Sequence, residues 1–314
     1  MNYYYKLLCL FFCCMISNCM LSAQSLQYKG ITRPISNRAL DSAYLRITYS
    51  LLYISDSLKS NEVWEDRKIL LIGDSINHFY SDYLRRSDSS VTVSIDKGKP
   101  YRATKFSDNV SYEGYDIYTY PIKRERIVWE HITDLSIYRY REKIEIPQWK
   151  ISMDTCIILS YTCQKATAHF RGREWEVWFT LEIPIDVGPW KLCGLPGLIL
   201  KASDSKGHYA FECIGLENLY KKKQPIVMIR GIFGELIECT RLEFLKAQGR
   251  FYDNYVNFLL TMGYNVNITD ASGNRIEHIE TPNTKFAERN VSWSISVDAR
   301  DRNRKIPYNP IELE

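Results

Sequence analysis

"QKATAHFRGREWEVWFT", residues 164–180, decides the fold. Ala166, Ala168 and Phe170 alternate with Lys165, Thr167 and His169; beyond Arg171-Gly172, Trp175, Val177 and Phe179 alternate with Glu174 and Glu176. Successive side chains on a strand point to opposite faces. Alternation on both sides of a short Gly-containing break therefore describes a hairpin with one buried and one wet face. Arg171 and Arg173, flanking Gly172, read as a solvated hairpin tip rather than an anion site.

The next stretch upstream, "WKISMDTCIILSYTC" (149–163), extends the sheet. If Leu159-Ser160 is a two-residue loop, Ile158 faces Tyr161, Ile157 faces Thr162 and Cys156 faces Cys163. Directly opposed Cα atoms lie about 4.5–5.5 Å apart, inside the roughly 4.4–6.8 Å that a disulfide accepts. A Cys156–Cys163 bridge is therefore expected, on the wetter face shared with Lys165 and Thr167. Leu-Ser is poor hairpin chemistry, and a longer loop would shift this register. In "GHYAFECIG" (207–215), Tyr209, Phe211 and Cys213 share one side, which places Cys213 in the core.

Further out, short β-branched and aromatic runs continue: "YLRITYSLLYI" (44–54), "RKILLIG" (67–73), "INHFYS" (76–81), "VTVSI" (91–95), "YDIYTYPI" (115–122), "RIVWEHI" (126–132) and "SIYRYREKI" (136–144). This is the signature of a mainly β chain, and 23 tyrosines agree with it. Only 239–263 reads as helix, with Leu242, Leu245, Phe251, Tyr255, Phe258 and Leu259 at helical spacings, a weak point at Gly249 and a stop at Gly263. The remainder, 264–314, is polar, and 298–314 reads as a largely irregular tail anchored by Tyr308, Pro310, Ile311 and Leu313. Without repeats or a low-complexity linker, 24–314 is expected to form one domain: a curved antiparallel sheet, for which a half-barrel is one form, plus one helix.

The first 23 residues read as a signal peptide, with Lys6, an apolar run from Leu7 to about Ile16, and Leu21-Ser22-Ala23 before Gln24. The run is shorter than the roughly 20 residues a span needs. A lipoprotein alternative would acylate Cys19, but Asn18 precedes it where such signals use Gly, Ala or Ser. The chain is thus expected to be exported, periplasmic or outer-membrane-associated, with no transmembrane span after cleavage. Of nine cysteines, Cys156, Cys163, Cys193, Cys213 and Cys239 would remain, an odd number for an oxidising compartment. No Cys/His spacing suits zinc. No cofactor is indicated. A formal net charge of +4 and a lone "YKKK" at 220–223, read as a solvated turn, exclude a nucleic-acid stripe.

Gly73-Asp74-Ser75 looks like the nucleophile motif of GDSL-type esterases. Such an esterase needs a histidine base held by an acid, in that family as D-x-x-H. The residues three before the five histidines are Ser75, Val128, Ala166, Ser205 and Arg275, none of them aspartate. Gly73-Asp74 is therefore read as a hairpin turn, with Ser75 opening the next strand.

The most distinctive stretch is "EIPIDVGPWKLCGLPGLILKASD" (182–204). With Gly194-Leu195-Pro196-Gly197-Leu198-Ile199, it resembles the GLPGLI family of exported proteins from Gram-negative bacteria. "LLIGDSINHFYS", "WKISMDTCIILSYTCQKATAHFRGREWEVWFTLEIPIDVGP", "GHYAFECIGLEN" and "PYNPIELE" resemble family blocks in family order. Ser160-Tyr161 departs from the usual Gly-Tyr, which bears on the local turn. The resemblance implies export and attaches no esterase role to 70–81; it carries no activity and no catalytic residues.

Physically, Leu195-Pro196-Gly197-Leu198 reads as a type II turn, with proline fixing φ at the second position and Gly197 taking φ > 0 at the third. Gly194 permits close approach, and Gly188-Pro189 makes a similar break. The loop is either a tight corner folded over the sheet or a rigid platform presenting Trp190, Leu195, Pro196 and Gly197 to a ligand or partner. The leading functional expectation is a non-catalytic envelope protein binding an apolar ligand or protein partner, by fold-level analogy with lipoprotein-carrier half-barrels. An enzyme with an unrecognised site and a structural component of an envelope complex are the alternatives. A large apolar concavity, a cleft of His and carboxylates, or a flat apolar patch would distinguish them.

Overall fold

A computed structural model describes residues 39–86, 114–133, 136–228, 235–261, 265–270, 272–280, 294–298 and 309–313. The expected signal peptide, the 91–95 run, Gly263 and Tyr308 lie outside these residues. The described chain is mainly β. In order, its first strands are β1 (Ala39–Tyr53), β2 (Trp64–Gly73), β3 (Asn77–Ser81), β4 (Tyr115–Tyr120), β5 (Glu125–Thr133), β6 (Ser136–Lys143), β7 (Lys150–Ile158) and β8 (Tyr161–Phe170). They are followed by β9 (Arg173–Thr180), β10 (Leu198–Asp204), β11 (Tyr209–Asn218), β12 (Gln224–Val227) and β13 (Glu235–Glu238).

These thirteen strands form one curved, open sheet, ordered β13-β6-β5-β4-β3-β2-β1-β11-β10-β9-β8-β7, with β12 beside β1. Every pairing is antiparallel except β13 with β6. The long β1 is the hub. It pairs β2 along one edge, and β11 and then β12 along the other, with a register shift at Thr48/Tyr49 that leaves Ile214 of β11 unpaired.

Burial explains why two halves of this sheet carry different sequence patterns. From β2 to β6 both faces are covered. Leu70, Ile72, Phe79, Ile117, Val128 and Tyr138 enter one core, while Ile69, Leu71, Tyr80, Tyr118, Ile127 and Ile137 enter a second on the opposite face. Such strands read as continuous apolar runs. From β8 to β11 mainly the first face is covered, and the alternation is clean.

The hairpin tips form as the pattern predicts, with one correction. Arg171 (φ 53°) and Gly172 (φ 76°) make the β8–β9 turn, and Phe170 pairs with Arg173. The tip is not solvated: Arg171 and Arg173 are buried, because carboxylates from distant parts of the chain close over them. Between β7 and β8, Leu159 (φ 48°) and Ser160 (φ 72°) form the two-residue loop, and Cys156 pairs with Cys163 as the register requires. Both φ values are positive, the geometry that matches strand twist. Glycine would adopt the Ser160 conformation more easily than serine. Since a left-handed conformation costs a non-glycine residue roughly 1–2 kcal/mol, Ser160→Gly should raise stability by up to about 1 kcal/mol after glycine's entropic penalty. A denaturant midpoint unchanged or lowered would refute this.

The expected helix is two helices. Arg241–Asp253 is capped by Thr240, whose hydroxyl accepts from the Glu243 amide while the Glu243 carboxylate accepts from the Thr240 amide. The break falls at Asn254 rather than Gly249, and Tyr255–Thr261 follows. Leu242 is exposed, and Phe244 instead packs on Tyr138 and Tyr140.

The polar remainder is also more ordered than its composition suggests. Strands β14 (Asn265–Thr269), β15 (Arg275–Ile279) and β16 (Ser294–Asp298) form a small sheet, β15-β14-β16. Val266, Ile268 and Val297 share a satellite core with Val256 and Leu259 of the second helix. Its strands carry only two apolar residues each, so the alternation is too short to stand out.

Candidate functional site

The loop 181–197 and the segment 309–313 lie together over the first face of the large sheet. The loop joins β9 to β10, so both ends are pinned by paired strands: Thr180 is opposite Leu198. Within it, Ile199 N–H donates to Val187 O at 3.0 Å and Gly194 N–H to Asp186 O at 3.1 Å. Trp149 Nε1 donates to Cys193 O at 2.8 Å, and the buried Arg126 donates through Nη2 to Lys191 O at 2.9 Å.

The glycine roles are exchanged relative to the sequence reading. Gly194, not Gly197, takes positive φ, at 88°. Gly197 provides the close approach, since a Cβ there would lie 1.9 Å from Thr180 O. Leu195-Pro196-Gly197-Leu198 is therefore not a type II turn.

The turn that distinguishes the loop is Pro189–Leu192, where Leu192 N–H donates to Pro189 O at 3.2 Å and Trp190 has φ 55°. Positive φ on a bulky residue persists only where the surroundings over-determine it. Here the indole packs 5.7 Å from the Trp175 ring and 5.8 Å from Phe170. Trp190 and Leu195 are core residues, Gly197 is buried, and of the four positions singled out in the sequence only Pro196 is exposed.

Beside Trp190, Lys191 enters the protein and is fully buried. Its ammonium lies 2.9 Å from Glu142 Oε1, pairs with Glu312 Oε1, and donates to Tyr140 OH at 3.2 Å. Arg241 Nε reaches Glu312 Oε2 at 2.7 Å, and Arg171 Nη2 reaches Glu142 Oε2 at 3.4 Å and Glu145 Oε2 at 3.2 Å. A second clasp centres on Arg173. Nη1 meets Asp204 Oδ2 at 2.7 Å, Nε donates to Ile311 O at 3.0 Å, and Nη2 donates to Asn309 Oδ1 at 2.8 Å and to Pro310 O. Tyr209 OH donates to Asn309 O at 2.8 Å, and Asn309 Nδ2 donates to Ile54 O at 2.6 Å. Nothing local in the sequence announces either clasp. Lys191 and Glu312 are 121 residues apart, and Arg173 and Asn309 are 136 apart.

These groups hold the chain, and Glu312 and Tyr140 among them titrate away from neutral pH. Burial would push the Glu312 carboxyl up, but Lys191 and Arg241 together outweigh it and hold it below the usual range. Burial, reinforced by Glu130, Glu312 and Glu142, drives the Tyr140 phenol well above 10. A general acid–base catalyst works best with a pKa near the operating pH, and both move away from it. Burial also raises the thiols of Cys156, Cys163, Cys193, Cys213 and Cys239, so each is mainly protonated at neutral pH.

Gly73-Asp74-Ser75 belongs to a clamped hairpin loop. Gly73 N–H donates to Ile76 O at 3.0 Å, and Asp41 Oδ2 accepts from the Ser75 and Ile76 amides at 2.6 and 2.9 Å. Ser75 remains in this loop, and the strand begins at Asn77. His78, the nearest histidine in sequence, is fully buried, stacked on Tyr80 and Tyr118 at 4.6 and 4.1 Å, with Nε2 3.4 Å from Asp116 Oδ1. Burial lowers its pKa, so the ring is neutral at pH 7.

The sheet face expected to hold an apolar ligand is filled, among the described residues, by Tyr49, Trp175, Trp190, Leu195, Phe211 and Ile311. A shallow cleft lined by Tyr115, Glu130, Phe244, Gln248 and Glu312 remains beside the helix. No group of three or more His, Cys, Asp and Glu among the described residues is arranged to hold a metal. No helix among them is long and apolar enough to cross a membrane.

The chain is similar to the solved structures of PNGF-II in two crystal forms. One gives a TM-score of 0.42 and 16% identity over 66% of this chain and 33% of that one; the other gives 0.42 and 15% over 64% and 32%. The chain thus spans about a third of the length of those proteins. No curated protein matches it. Over residues 171–201, from the β8–β9 turn through the clasped loop and into β10, it matches the family model described as "Protein of unknown function (Porph_ging)".

Proposed function

We propose that this is an exported, non-catalytic protein of the cell envelope, of the GLPGLI type, that binds a protein partner along the free edge of its large sheet. The observation carrying this reading is β7. It is the last strand of the sheet, paired on one side only, by β8. Ile151, Met153 and Ile157 along it are 50%, 91% and 76% exposed. An unpaired edge presents a row of backbone donors and acceptors to an added strand, and alternate side chains supply specificity. The filled first face disfavours apolar-ligand carriage, and the pairing of the clasp charges with one another disfavours catalysis. Export rests on the leader-like first 23 residues.

Photo-crosslinking from position 153 in the native envelope tests the idea. One protein should be captured, and Ile157→Lys should reduce its capture about tenfold without lowering thermal stability, since an exposed edge charge opposes strand addition. Capture unaffected by that charge, or capture of lipid alone, would refute the reading.

A further inference from the structure

We propose that Cys156 and Cys163 form a redox-active site, a reversible cross-strand disulfide at the tip of the edge hairpin that exchanges with an external disulfide. The inference stands independently of partner binding at β7.

The register carries it. With Leu159 and Ser160 both at positive φ, Ile158 and Tyr161 close a two-residue hairpin and exchange both backbone hydrogen bonds. Alternation makes Cys156 and Cys163 the next hydrogen-bonded pair. Such pairs typically hold their Cα atoms about 5.5 Å apart, at the centre of the disulfide range. The two thiols are free in the structure and differ in access: Cys156 is half-buried and Cys163 fully buried. That asymmetry suits an attacking and a resolving thiol. A disulfide here would close only a short loop, so it would add little stability. It would join the edge strand to its neighbour with Cys163 in the core rather than on the wetter face that the alternation implied, leaving Cys156 as the sulfur open to exchange.

The exchange balances as follows. The Cys156 thiolate attacks one sulfur of a small-molecule disulfide, forming a mixed disulfide and releasing one thiolate. Cys163, after losing its proton to solvent, attacks the Cys156 sulfur. The intramolecular bridge forms and the second small thiolate leaves. Two protein thiols are oxidised and one external disulfide is reduced to two thiols. Burial holds Cys163 up at about 11, so closure should accelerate about tenfold per pH unit between pH 7 and 9 as the thiolate fraction grows.

Oxidised glutathione is the probe, applied to the folded full chain and followed by non-reducing peptide mapping. The wild type should yield peptides linked through Cys156 and Cys163, and reduced glutathione should restore both thiols under native conditions. Cys163→Ser should trap Cys156 as its glutathione adduct; Cys156→Ser should leave Cys163 unmodified over the same time. The wild-type map needs no variant to fold. Both thiols staying free, Cys163 pairing with any other cysteine, or a bridge that native reduced glutathione cannot open would each overturn the proposal.

Discussion

Gly197→Ala should destabilise the protein by about 3 kcal/mol or more, in the class of overpacking substitutions with no room to relax. The new Cβ would fall 1.9 Å from the carbonyl oxygen of Thr180 and 2.7 Å from its carbon. Those are backbone atoms of a strand paired on both sides, with Cys163 and with Leu198, so the corner itself must shift. Gly249→Ala is the matching control. A Cβ there meets nothing within 4 Å, and helix propensity favours alanine by about 1 kcal/mol. The two variants should move the denaturant midpoint in opposite directions. A Gly197→Ala protein within 1 kcal/mol of wild type would show that the loop is not seated on β9 as described.

Lys191→Met should cost about 3–5 kcal/mol at neutral pH, the usual result of leaving buried carboxylates without their cation. Glu142 and Glu312 would keep only Arg171 and Arg241, and Tyr140 would lose a donor. The pH dependence follows from Glu312. Its folded carboxyl titrates below its ordinary value, so its contribution is fully present above the unfolded value of about 4.3. It is lost as the pH falls through the lower, folded value. Wild type should therefore lose stability more steeply than Lys191→Met below about pH 5, and the gap between them should narrow. Lys191→Met/Glu312→Leu should recover part of the loss by removing the stranded charge. Thermal unfolding from pH 7 to pH 3 measures all three; a gap that stays constant over this range would contradict the clasp.

The parts of the fold that were legible in the sequence are those set within a few residues of one another. The alternation at 164–180 gave the hairpin, its buried face and its turn, because a strand's side-chain period is a local property. Leu159-Ser160 was readable as a two-residue loop, and with it the Cys156–Cys163 register, even though Ser160 sits where glycine would be easier. Thr240-x-x-Glu243 was equally local, and its capping box marks the helix start better than the apolar spacing that pointed to the exposed Leu242. In β14 to β16 the strands are too short for period to outweigh polar composition, so packing against Val256 and Leu259 decides them.

The site is a different matter. Sequence alone marked residues 182–204 as distinctive and showed that its prolines and glycines must bend the chain. It did not assign Gly194 and Gly197 their roles, because one is set by backbone torsion and the other by a carbonyl contributed by β9. Nor did it show that Arg171, Arg173 and Lys191 are buried. A charge enters a protein interior only where opposite charges meet it, since desolvation otherwise dominates. Here those partners are Glu142 on β6, Asp204 on β10 and Asn309 to Glu312 near the chain's end. Only the closing of the tertiary fold brings them together.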